Sequence, residues 1–186
     1  MDHEENAMVD QGSGSSARLL GTPVHPPLTD VPIGAMAITA VLDVASAAGS
    51  GHTWAREVYR AGTFALMIGT AVLIVAIATG LADRSRTTSA GSEARSKVNV
   101  HALLMAAVGV VAVADILLRR QGYGDARHTP AAVLVVTVVL LVLTVAGGAL
   151  GGKLVYRIGL GVSPGAGVDA PQAVTGAVVG EESADR

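Results

Sequence analysis

Four apolar runs, separated by short polar stretches, organise this chain. They fall at about residues 29–48, 60–82, 98–118 and 130–154. The fourth is the most apolar, with AAVLVVTVVLLVLTVAG unbroken by any charge. Each run has the roughly 20 residues that a hydrocarbon core demands of a helix. Valine is abundant, yet the runs are far too long for barrel strands of roughly 10 residues, and a segment in lipid must satisfy its backbone internally. The connecting stretches, about 49–59, 83–97 and 119–129, are short enough to make successive helices antiparallel neighbours. The pattern therefore predicts an all-α integral membrane protein built as an up-down four-helix bundle. The first run is the weakest, because it carries Asp43, and an aspartate at mid-span costs roughly 2.5–3.5 kcal/mol. The alternative is three spans, with the first segment lying in the interface.

The flanks read differently. Residues 1–20 hold a GSGSS run and few large apolar groups, and residues 159–186 are broken by Gly and Pro and end on EESADR. Such segments do not repay the entropy of folding, so disordered tails are expected on either side of a membrane domain at 21–158. The acidic N-terminus has no basic region ahead of an apolar stretch. The first span is thus expected to be an uncleaved anchor. Thr29 or Asp30 is expected to cap the first helix, with Pro32 in its first turn.

Composition sharpens this. Charged residues make up 15% of the chain and hydrophobic ones 51%, against roughly 25% charged in soluble domains. The formal net charge of -2 gives no basic field for nucleic acid. Cysteine is absent, which excludes disulfides, thiolate zinc, cysteine nucleophiles and iron–sulfur ligation by this chain. Arginine far outnumbers lysine, and Ala, Val and Gly dominate, as GC-rich bacterial coding produces. The expected location is the bacterial cytoplasmic membrane. Arg18, Arg84, Arg86, Arg95, Lys97, Lys153 and Arg157 fall on one side of the spans, and Arg56, Arg60, Arg119, Arg120 and Arg127 on the other. The excess favours both termini inside. Trp54, Tyr59 and Tyr123 fall on the opposite side, where aromatic side chains anchor at headgroups.

Four crossings bring distant residues to one face. His25 precedes the first run, Asp30 follows it, Asp83 ends the second, His101 begins the third, and Lys153 and Tyr156 close the fourth. In a sequential bundle, helices one and three are diagonal, so two imidazoles at similar depth could ligate one divalent metal or both faces of a haem b iron. His25, Asp30, Asp83 and His101 form the metal-ligand set, with the carboxylates serving otherwise as second-sphere acceptors. His25, His101 and Tyr156 form the haem set. Against haem stands depth: with Pro26 and Pro27 after it, His25 is expected at headgroup level. The structural alternative makes Asp30 a cap, His25 a turn residue, Asp83 a partner of Arg84, Arg86 or Lys153, and Tyr156 an anchor.

A second pair, Asp43 and Asp115, approaches the outer side. His101, Met105, Val108, Ala112 and Asp115 share one stripe, expected to face the interior, and Thr39 shares the face of Asp43. Thr137 and Thr144 form a similar stripe in the fourth run. These residues could form a proton or ion path; otherwise Asp115 pairs with Arg119 one turn on and Asp43 snorkels outward. Gly147 with Gly151, Gly148 with Gly152, and Gly62, Gly69 and Gly80 read as close helix packing. No nucleotide loop, dinucleotide fingerprint, HExxH or GxSxG occurs, so nothing marks the chain as an enzyme.

GTPVHPPLTDVPIGA, ATGLADR, VHALLMA and GGKLVYRIGLGV, in this order around four spans, resemble a bacterial membrane family, the domain of unknown function numbered twenty-two thirty-one. The resemblance covers about residues 20–162. It implies a four-helix membrane domain in a redox setting, since some members are joined to Rieske-type iron–sulfur domains. Positions carrying the pattern are His25, Pro26, Asp30, Pro32, Gly34, Gly80, Asp83, His101, Gly152, Tyr156 and Gly159. Arg84 stands where the family often has an aromatic residue. Lacking cysteine, this chain would need a separate iron–sulfur or other redox protein as partner. Three readings stay open: a redox-linked haem or metal module, a non-catalytic scaffold or interaction protein (including a homo-oligomer), and a small proton or ion conduit.

Overall fold

A computed structural model describes residues 18–19, 22–23, 25–89 and 91–158. Its architecture is a bundle of four long helices: α1 (His25–Ala48), α2 (Ala55–Thr87), α3 (Glu93–Arg120) and α4 (Ala131–Ile158). Ahead of them, β1 (Arg18–Leu19) and β2 (Thr22–Pro23) make a two-residue antiparallel pairing, Arg18 opposite Pro23 and Leu19 opposite Thr22. The expected disordered tails fall largely outside the described residues, as does Gly159, but Arg18 and Leu19 belong to this pairing.

All four helices are long and apolar enough to cross a membrane, the first included. α1 packs on α2 and α4, and α3 packs on the same two, so α1 and α3 are diagonal. The helices outrun the apolar runs. α2 has 33 residues, about 50 Å of helix, and a hydrocarbon core is only ~30 Å thick. Its polar ends therefore extend beyond the lipid.

The start of α1 corrects the expected cap. The helix begins at His25, not near residue 29, so Asp30 lies inside it and is exposed. Prolines at the second and third positions are compatible with this, because first-turn amides have no helical acceptor. Pro32 lies well inside the helix and is buried. Without an amide hydrogen it leaves the Leu28 carbonyl without its usual partner.

Between α2 and α3 the chain turns through Gly91, whose φ of +80° favours glycine. Ser92 caps α3, its hydroxyl accepting from the Arg95 amide at 3.1 Å. The Arg95 guanidinium reaches back to the end of α2, donating to the carbonyls of Arg84 (2.9 Å) and Thr88 (2.8 Å). Cationic side chains suit carbonyl-rich helix ends.

The interior follows helical spacing on every element. Met36, Leu66, Leu73, Val108, Ala112 and Leu140 form a compact apolar cluster at mid-bundle. Large side chains such as Ile38, Phe64, Ile68, Leu103 and Val142 point outward, as lipid-facing positions should. Lipid removes the hydrophobic drive between helices, so close contact must supply the cohesion. Gly69 meets the Ala35 side chain, Gly147 meets Met105, and Gly62 meets Leu42 and Asp43.

Candidate functional site

At the end of the bundle where α1 and α3 begin, the helices splay around a cavity of about 600 Å³. His25, Asp30, Asp83, His101 and Tyr156 all border it, so the sequence-predicted cluster shares one space. Most of the remaining wall is apolar, including Met36, Leu73, Ile77, Met105 and Val108. Asp30 stands exposed, and Tyr156 is 89% exposed at the rim.

The two imidazoles are held alike. His25 lies against Gly80 of α2, where an added Cβ would stand 2.7 Å from its Cε1. His101 lies against Gly151 of α4, where the corresponding distance is 3.0 Å. One turn earlier, the Ala76 carbonyl faces the His25 ring and the Gly147 carbonyl faces the His101 ring. Each helical hairpin thus repeats one device: a histidine near the start of its first helix and a small-residue notch near the end of its second.

His25 Nδ1 is 3.4 Å from the Thr79 hydroxyl. Burial pushes the His25 imidazole below its ordinary pKa, opposed by the Ala76 carbonyl and the Asp83 carboxylate. The ring is therefore neutral near neutral pH, the form that ligates metals. His101 lies two turns inside α3, and its Nδ1 is buried without a hydrogen-bond partner. An unsatisfied buried nitrogen costs about 1–3 kcal/mol, a cost the packing around His101 has to offset. Among the described residues, no group of three or more His, Asp or Glu is placed to hold a metal ion.

A second polar centre lies beyond the apolar cluster, near the far ends of α1 and α3. Asp43 and Asp115 are 0% exposed and Arg119 is 1% exposed. The Arg119 guanidinium donates through Nη1 to Asp43 Oδ1 (3.2 Å) and Thr63 (3.1 Å), and through Nε to Asp115 Oδ1 (3.0 Å). Its Nη2 donates to Asp43 Oδ2 and to the Thr137 hydroxyl at 2.9 Å. Thr129 donates to Asp43 Oδ1 at 3.1 Å. The Tyr59 ring lies over the guanidinium, 5.4 Å from centroid to Cζ. All four helices and the α3–α4 connection meet here.

This corrects three expectations. Asp43 does not snorkel: it is wholly buried and paired with Arg119. Arg119 is not a loop charge on the outer face, because it continues the His101–Asp115 stripe by one more turn. Tyr59 is not a headgroup anchor, being 1% exposed. Arg119 is the next position of that stripe, but its place at the edge of an apolar run gives it the sequence signature of a flanking cation.

A family model described as "Predicted membrane protein (DUF2231)" matches residues 21–164. No curated protein and no solved structure matches the chain.

Proposed function

The chain belongs to DUF2231, a family of predicted membrane proteins, and from that premise we propose that it is a redox-linked module binding haem b between His25 and His101. The observation that carries this reading is the pair of imidazoles, supplied by diagonal helices, on one apolar-walled cavity of about 600 Å³. Such a volume lies in the range of small-molecule and cofactor pockets. Bis-histidine ligation needs two donors only, and among the described residues no three-ligand group is placed to hold a divalent ion, which favours haem over a metal held by Asp30 and Asp83. Bound haem would supply one-electron transfer. The protein's part is to hold two imidazoles, orient them by the Ala76 and Gly147 carbonyls, and keep the space apolar. Tyr156 and Arg84 at the cavity edge would meet the polar side of the ligand. On the excess of Lys and Arg, this end faces the cytoplasm, where a separate iron–sulfur or other redox protein would exchange electrons with it.

The test is the visible spectrum of protein purified from a bacterial membrane. A Soret band that disappears in His101→Ala and His25→Ala is the expected result. A second reading, a non-catalytic scaffold, draws on the Arg119 network that ties all four helices together. Protein that is colourless, metal-free and fully folded would establish the scaffold and end the haem reading.

A further inference from the structure

Independently of the cavity, the buried network at the other end of the bundle has a deficit of hydrogen and an excess of negative charge. The Thr137 hydroxyl stands 2.8 Å from Asp43 Oδ2 and 3.0 Å from Asp115 Oδ2. A threonine hydroxyl has one hydrogen, so it serves one of these oxygens and leaves the other facing a lone pair. The charge balance gives the same answer by a separate route. Two carboxylates face one guanidinium, and every group is buried within spans that cross lipid. The groups turned toward them are Thr63 and Tyr59 from α2, Thr137 from α4 and Thr129 from the connection, all uncharged at neutral pH. Arg56 and Arg60, also on α2, are used elsewhere: Arg56 donates to the Gly124 carbonyl and Arg60 pairs with Glu57. A net negative charge held there would carry the full cost of an uncompensated buried ion.

We infer that Asp43 and Asp115 together bind one proton, so that the Asp43–Thr137–Asp115–Arg119 network is a neutral, proton-loaded site. The accepted bonds locate it. Asp43 receives both Nη groups of Arg119 and the Thr129 hydroxyl. Asp115 receives Nε and, at 3.4 Å, a long contact from Nη2. Asp115 Oδ2 therefore holds the proton and donates it to Thr137 Oγ1, and Thr137 donates onward to Asp43. The site sits toward the loop end: Asp43 is near the end of α1 and Arg119 in the last turn of α3. On the other side it meets the apolar cluster around Leu66, Leu73 and Leu140. Thr70 and Thr144 give their hydroxyl hydrogens to the Leu66 and Leu140 carbonyls of their own helices. The described side chains thus place the proton nearer the α1–α2 and α3–α4 connections than the cavity end of the bundle.

Infrared spectroscopy of the full chain in nanodiscs at pH 7 tests this. The wild type is expected to show a protonated-carboxyl C=O band that shifts in deuterium oxide. Asp115→Asn removes the carboxyl that holds the proton, and Asp43→Asn leaves Asp115 as the sole counter-ion of Arg119, so each should abolish the band. Asp115→Asn should keep the wild-type unfolding midpoint, because its amide can donate to Thr137 as the protonated acid does. A wild-type spectrum without the band overturns the inference, as does a band that survives both substitutions. The wild-type measurement decides even where a variant fails to fold.

Discussion

Asp43 on α1 and Arg119 on α3 stand 76 positions apart and pair inside the bundle, wholly buried. The guanidinium bridges diagonal helices that otherwise touch little, and it also satisfies Asp115, Thr63 and Thr137. Arg119→Gln leaves the buried Asp43 and Asp115 without their cation, and breaking a buried ion pair in this way costs about 3–5 kcal/mol. Arg119→Lys keeps the charge but loses the planar fork that reaches several acceptors, so it should fall between Gln and wild type. Thermal unfolding in detergent, followed by circular dichroism, ranks the three; equal midpoints would show the network to be energetically idle.

The imidazoles depend on the glycines of α2 and α4 in a way that Gly34 of α1 does not share. A methyl at Gly80 or Gly151 would run into His25 or His101, whereas nothing lies within 4 Å of a Cβ at Gly34. Overpacking typically costs about 1–3 kcal/mol, and about 1.4 kcal/mol is a tenfold change in affinity. If the proposed haem is bound, Gly80→Ala and Gly151→Ala should each weaken its retention by roughly tenfold or more. Gly34→Ala should leave it unchanged and stabilise the helix by about 0.5–1 kcal/mol. Haem titration of cofactor-stripped protein checks all three.

A pH dependence follows from His25. Its burial holds the folded-state pKa below the ordinary imidazole value near 6.5. The unfolded chain therefore takes up a proton at His25 before the folded one does. Its contribution to stability is present above about pH 6.5 and is lost as pH falls through that value toward the folded pKa. Cofactor-free wild type should lose unfolding midpoint between about pH 7 and 5, and His25→Gln should lose less. Parallel curves for the two proteins would refute this assignment.

The sequence made some of this legible and hid the rest for identifiable reasons. The spans, the antiparallel order and the stripe through Met105, Val108 and Ala112 follow from spacing, because a lipid-facing helix must divide its residues between lipid and neighbours. The joint cavity of His25 and His101 follows from the parity of crossings. The helices exceed the apolar runs because hydropathy reports the lipid-crossing length, while Ala55–Tyr59 and Glu93–Lys97, each carrying charged side chains, continue as helix. From sequence alone Arg119 and Tyr59 read as surface residues, because a terminal cation and an aromatic residue ordinarily sit at headgroups. Only tertiary contact with Asp43 shows that the two belong to one buried centre.

That contact gives Tyr59 a role open to a clean comparison. Its ring covers the Arg119 guanidinium and lies 6.1 Å from the Tyr123 ring. A cation over an aromatic face gains about 0.5–2 kcal/mol, more when the pair is shielded from water. The face belongs to the ring, so Tyr59→Phe should keep nearly all of it. Tyr59→Leu preserves apolar bulk but offers no face to the cation, and should cost about 1–2 kcal/mol beyond Phe. In an Arg119→Gln background the gap between Phe and Leu should shrink, because the cation is gone, and a double-mutant cycle on unfolding midpoints measures that coupling. A headgroup anchor would behave in the opposite way: the hydroxyl would matter, Phe would be the damaging change, and Arg119 would not couple to it.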